Sequence, residues 1–158
     1  MSRFPSFLAA ALACAGLALA DGTYLGTNYC SATVNSSGGA AAMSIFGPDY
    51  QGSGEVFLDD SVVISAYPLP RESLGLFLYG TLPNRVPFGQ GSLCVGGRVH
   101  RTRVHAASSF GWIFESVTLG DLPGLTPGLW HFQAWFRDSA GGPAGFNLSD
   151  GIALEISA

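Results

Sequence analysis

Side chains able to bind a ligand or a metal recur at two main places in this 158-residue sequence. The first is Trp130-His131-Phe132-Gln133-Ala134-Trp135-Phe136-Arg137. On an extended strand, His131, Gln133, Trp135 and Arg137 share one face, and Trp130, Phe132, Ala134 and Phe136 share the other. An aromatic plane beside hydrogen-bonding groups suits carbohydrate, because the ring meets the apolar side of a sugar while the polar groups meet its hydroxyls. The same face also suits an ordinary outer sheet surface with Trp135 covering the edge of the core. The second place is Asp138, Asn147 and Asp150, which flank the Gly-rich stretch 139–147. Hard oxygen donors on a loop between strands are calcium ligands, and each could equally close a local turn.

Other chemistries find little support. A Gly-x-Ser-x-Gly nucleophile elbow is absent, and Gln51-Gly52-Ser53-Gly54 reads as a turn. Asp59-Asp60 would point to opposite faces of a strand or cap a turn, so they do not form an acid/base pair. His100 and His105 are an odd number of residues apart, which puts them on opposite faces of a strand and away from a shared metal. Arg98, Arg101 and Arg103 form a basic cluster of the kind that blocks strand addition at a sheet edge, with anion recognition as the alternative. No enzyme is expected.

The elements that must position these residues are strands. Short apolar or alternating runs separated by Gly, Pro, Asn and Ser fall at 42–46, 56–58, 62–67, 74–79, 93–99, 112–119, 130–137 and 152–156. Prolines at 68, 70, 83, 87, 123 and 127 interrupt the segments that might otherwise carry a helical period. Ile152, Leu154 and Ile156 alternate inward, and Leu74, Leu76 and Leu78 are expected to do the same, leaving Phe77 and Tyr79 outside. Residues 31–41 and 139–147 read as surface loops.

Residues 1–20 read as an export signal: Arg3 is the positive start, Phe7 to Leu19 the apolar run of 13 residues, and Ala18-Leu19-Ala20 the small-residue cleavage site. That run is short of the roughly 20 residues a membrane-spanning helix needs. Residues 21–158 then form one domain. The hydrophobic fraction of 47% argues for a packed core, and the 11% of charged residues contain no lysine. A net charge of −4 disfavours nucleic acid and anionic membrane as partners. Cys30 and Cys94, an even pair in an exported domain, are most simply one disulfide, since no CxxC spacing or His cluster suggests metal.

Tyr29-Cys30, Leu93-Cys94-Val95-Gly96-Gly97, Trp130 to Asp138 and Ser149-Asp150-Gly151 together resemble a family of exported bacterial β-sandwich modules with the pattern YC, LCxGG, WxFQxWxRD and SDG. The resemblance spans nearly all of residues 21–158. It implies a β-sandwich with no established activity, and it matches Cys30 and Cys94 to the two family cysteines.

The expectation is an all-β, two-sheet antiparallel sandwich, jelly-roll or Ig-like, with one disulfide. Its function is that of an exported, non-enzymatic structural or adhesive module at the cell surface, in the periplasm or in the medium. The alternative is a carbohydrate-binding module centred on Trp135. No cofactor is expected beyond calcium at Asp138, Asn147 and Asp150. The partner would be a glycan or another surface protein, without stable membrane insertion.

Overall fold

The computed structural model describes residues 22–48 and 52–158; residues 1–20, read above as an export signal, lie outside the described residues. In chain order they form β1 (Gly22–Leu25), β2 (Thr27–Tyr29), β3 (Ala42–Pro48), β4 (Ser61–Tyr67), β5 (Leu74–Gly80), β6 (Leu82–Phe88), β7 (Gly91–Gly96), β8 (His100–Arg101), β9 (His105–Ala106), β10 (Ile113–Thr118), β11 (Gly128–Arg137) and β12 (Phe146–Ile156). A 3-10 turn at Leu119–Asp121 is the helical element among them, and no helix there is long and apolar enough to cross a membrane.

One antiparallel sheet has the order β1-β3-β4-β10, and the other β2-β12-β11-β5, with β8 and β9 sharing the outer side of β5. The all-β sandwich and the Cys30–Cys94 disulfide are therefore present as expected. Trp130, Phe132, Ala134 and Phe136 are buried along β11, facing the aliphatic layer of Ile45, Ile64 and Ile113 from the first sheet. Strand periodicity alone identified that face of β11.

Three local readings change. On β5 it is Phe77 and Tyr79 that are fully buried in the core, while Leu74 is half exposed. The register explains this, since Tyr79 pairs with Phe132 and Phe77 with Ala134, both core residues. Leu74, Leu76 and Leu78 line the outer face. Alternation could not choose between them because both faces of β5 carry apolar side chains. Residues 56–58 form an isolated bridge, Phe57 with Ser157, rather than a strand. Conversely, β6 is a strand despite Pro83 and Pro87. It pairs only with β7 and its register shifts between Pro83 and Val86, so the ladder tolerates residues without an N–H.

A bulge in β12 shapes the outer face. Gln133 pairs with Gly151 but Trp135 pairs with Leu148, so β12 carries one extra residue opposite Ala134. Ser149 Oγ accepts the Ala134 N–H at 2.8 Å across this bulge. Beyond it the alternation of β12 reverses: Ile152, Leu154 and Ile156 lie in the core, while Phe146 reaches the ring of Trp135 on the outer face.

Candidate functional site

The hairpin β6–β7 lies across the outer face of the second sheet, and Cys94 is where it is fastened. Cys94 Sγ is bonded to Cys30, its N–H donates to Gln133 Oε1 at 2.9 Å, and its carbonyl accepts the Tyr29 hydroxyl at 2.6 Å. Gln133 Nε2 donates to the carbonyls of Ser92 at 2.9 Å and Ser149 at 2.7 Å. Gln133 is fully buried with its amide engaged at both ends. Glycine permits the close approaches this needs. A Cβ on Gly80 would stand 2.5 Å from the Gly96 carbonyl oxygen, and one on Gly151 would stand 2.6 Å from the Tyr29 ring.

The hairpin divides the polar face of β11. His131, 4% exposed, is covered and meets the Tyr29 ring edge-on at 5.3 Å. His131 and Gln133 are thus removed from the ligand-binding set, a correction to the sequence reading: their polar atoms lie under β7 rather than facing solvent. Trp135 and Arg137 emerge beside the hairpin, where Arg137 lies over the Trp135 ring at 5.8 Å and Phe146 packs against it at 5.5 Å. A guanidinium and a second ring compete there for the indole surface on which a sugar would stack.

What opens beside Trp135 is an apolar groove of about 570 Å³. Leu74, Leu76 and Leu78 of β5 form its floor with Trp135. Phe88 and Leu93 of the hairpin form one wall, and Val99 and Val104 beside β8 and β9 form the other. Arg101 and Arg137 supply its charge, and among the described residues no serine, threonine, cysteine, histidine or carboxylate lines it. The volume falls in the range of small-molecule sites, about 300–1,000 Å³. Such a surface can hold an apolar ligand.

Asp138, Asn147 and Asp150 do not assemble into a calcium site. Asp138 accepts the Ser36 N–H at 3.2 Å, and Asn147 Oδ1 accepts from Leu148 N at 2.8 Å and Thr33 Oγ1 at 3.1 Å. Asp150 accepts from Met43 N at 2.6 Å and Asn28 Nδ2 at 2.9 Å, tying β12 to β2 and to the opposite sheet. Three oxygen donors tie three different segments. Burial raises the Asp150 carboxyl above its ordinary value, against the lowering effect of those two hydrogen bonds; partial burial, with the Asp150 charge as a smaller cause, pushes the half-buried Tyr29 hydroxyl up to about 12. Among the described residues, no three His, Cys, Asp or Glu side chains group closely enough for a metal ion.

The histidines before β10 also depart from expectation. His100 stacks on Tyr79 at 5.2 Å and His105 packs near Phe77 at 6.4 Å, so both face the core. The break between β8 and β9 shifts the phase by one residue, as the pairs Tyr79 with His100 and Gly75 with His105 require. Their partners lie four residues apart on β5, about 13 Å at strand rise, too far for one metal.

A second cleft, about 410 Å³, was not visible in the sequence. Glu115 on β10 meets Arg103 at 3.2 Å and His105 at 3.1 Å, beside the exposed rings of Trp112 and Phe114. Ser108 lines it too, but its hydroxyl accepts the N–H groups of Phe110 and Trp112, both at 3.2 Å, and makes no bond to His105. The Glu115 contacts cross from β10 to β9 and the segment before it, which is why strand periodicity could not reveal them.

The covered histidine gives a pH prediction. Burial lowers the His131 pKa from its ordinary 6.5, with a backbone hydrogen bond to Gly80 acting the other way. The unfolded chain therefore takes up the proton first on acidification. His131 contributes stability that is fully present above 6.5 and is lost as pH falls through the lowered folded value. The melting temperature of the wild type should drop more steeply across that window than that of His131→Asn; parallel curves would refute the assignment.

Compared with known proteins, the chain matches no family model, no curated protein and no solved structure.

Proposed function

We propose that this protein is an exported, non-enzymatic binding module, working at the cell surface, in the periplasm or in the medium, whose outer sheet face seats an apolar ligand. The groove beside Trp135 is the observation that carries this reading: four leucines, two valines, Phe88 and Trp135 converge there with two arginines. Contiguous apolar surface of this kind marks interaction sites on soluble proteins. The leader-like residues 1–20 and the disulfide support action outside the cytoplasm. The resemblance to exported bacterial sandwich modules agrees with it.

A carbohydrate reading is favoured by the second cleft rather than by Trp135. There Trp112, 51% exposed, and Phe114, 57% exposed, flank a carboxylate held by Arg103 and His105. That arrangement supplies both a stacking surface and hydrogen-bonding groups.

Titration with N-phenyl-1-naphthylamine, an uncharged fluorescent probe, tests the groove. Saturable binding that weakens in Trp135→Ala and in Leu74→Glu, the latter at a half-exposed position, is the expected result. Absence of saturable binding to the folded protein would overturn the reading. So would glycan binding that survives Trp135→Ala and disappears in Trp112→Ala, which would move the function to the second cleft.

A further inference from the structure

We infer that the ligand of the outer groove is a free single-chain carboxylate amphiphile, its alkyl chain on the leucine floor and its head on one of the two arginines that border that floor, Arg101 or Arg137. This rests on the groove being a ligand seat. Charge complementarity supplies the rest. In an acidic protein of net charge −4, this groove is lined by two arginines and by no acid. Arg101 stands opposite Leu78 at the edge of β5, and Arg137 lies over Trp135, so cations sit on two sides of the floor. Neither makes a salt bridge among the described residues, whereas Arg103, two residues from Arg101, is paired with Glu115.

An arginine without an acidic partner at the border of apolar surface is arranged to receive a carboxylate, through paired N–H donors in a fixed fork. The alkyl chain answers the other half of the lining. Leu76 and Leu78 are largely covered while Leu74, Val99 and Val104 remain substantially exposed, so the apolar lining reaches from the covered floor to solvent. A sugar would leave that surface unmatched. A cationic or neutral amphiphile would leave the guanidiniums unmatched.

Calorimetric titration of the purified protein with dodecanoate, dodecanol and dodecyltrimethylammonium, with octanoate and decanoate for chain length, tests this. Dodecanoate is expected to bind at least about tenfold tighter than either analogue, as loss of a charge-assisted hydrogen bond implies. Affinity should rise about fourfold per added CH₂ until the floor is filled. Arg101→Gln and Arg137→Gln combined should remove most of the preference for the carboxylate while leaving dodecanol binding in place, and the single variants show which arginine holds the head. Val104→Glu, at an exposed position, should abolish dodecanoate binding without unfolding the protein.

Equal binding of dodecanoate and dodecanol would overturn the inference and leave the apolar seat intact. Failure of all three chains to bind would overturn both. Sedimentation with anionic phosphatidylglycerol vesicles, without binding of free dodecanoate, would overturn the inference in favour of a membrane surface. A dimer in analytical ultracentrifugation that dissociates in Val104→Glu, again without dodecanoate binding, would assign the groove to a second copy of the chain.

Discussion

Replacing Gln133 with leucine destabilises the fold by about 3–4 kcal/mol, because the new side chain fills the space but leaves buried backbone groups without partners. The groups are Cys94 N–H, which donates to Oε1, and the carbonyls of Ser92 and Ser149, which accept from Nε2. Gln133 is 0% exposed, so solvent cannot substitute without the hairpin lifting away. Urea denaturation measures the effect, with the slope of free energy against urea reporting whether the hairpin is already detached in the folded state. A loss below about 1 kcal/mol would mean that the amide is not what holds the hairpin, since a surface substitution costs as little.

Removing the disulfide, as Cys30→Ala with Cys94→Ala, costs up to about 4 kcal/mol on loop entropy for a separation of 64 residues. The more informative quantity is its coupling to Gln133. Both devices hold the same residue: the disulfide through the Cys94 side chain, Gln133 through its N–H. If either loss frees β7, the second loss costs less. The triple variant should therefore fall short of the summed single effects by at least about 1 kcal/mol, well outside the roughly 0.3–0.5 kcal/mol scatter of independent sites. Additive losses would show that the hairpin docks by its apolar contacts alone. Val95, 0% exposed, would then be the chief contributor.

These two predictions concern what the groove is made from. The hairpin carries Phe88 and Leu93, and without it the floor of Leu76, Leu78 and Trp135 has no wall on that side. Phe88 packs on Phe146 at 5.1 Å and Phe146 on Trp135 at 5.5 Å, so the wall and floor are joined by a row of rings. Stability and ligand binding are thus linked through β7. A ligand bound only to the docked hairpin would raise the melting temperature by mass action.

The short motifs that stand out in the sequence prove to be parts of the fastening. Tyr29 and Cys30 both reach Cys94, Gln133 reaches it from β11, and Ser149 and Asp150 form the bulge and the tie to β3. Polar residues at unusual spacing suggest a site. Here they satisfy the backbone of a hairpin laid over a sheet, which needs buried hydrogen-bond partners as much as a site does. Trp135 and Arg137 were legible as exposed-face residues because β11 alternates cleanly. Glu115, Arg103 and His105 were not, since their meeting depends on two sheet edges coming together.

The residues alone were enough to specify an all-β chain, the Cys30–Cys94 pair and the inward face of β11, because each follows from local periodicity or from counting. They could not specify which face of β5 is the core, since Leu74, Leu76 and Leu78 are as apolar as Phe77 and Tyr79. Nor could they show that His131 and Gln133 are covered while Trp135 opens on a groove. Those outcomes belong to the docking of β6–β7, a segment some forty residues earlier in the sequence, and to the one-residue bulge in β12. Strand alternation repeats every two residues and carries no record of what is later laid across it. Only the packed molecule decides which part of an apolar face is wall, which is floor and which is left open.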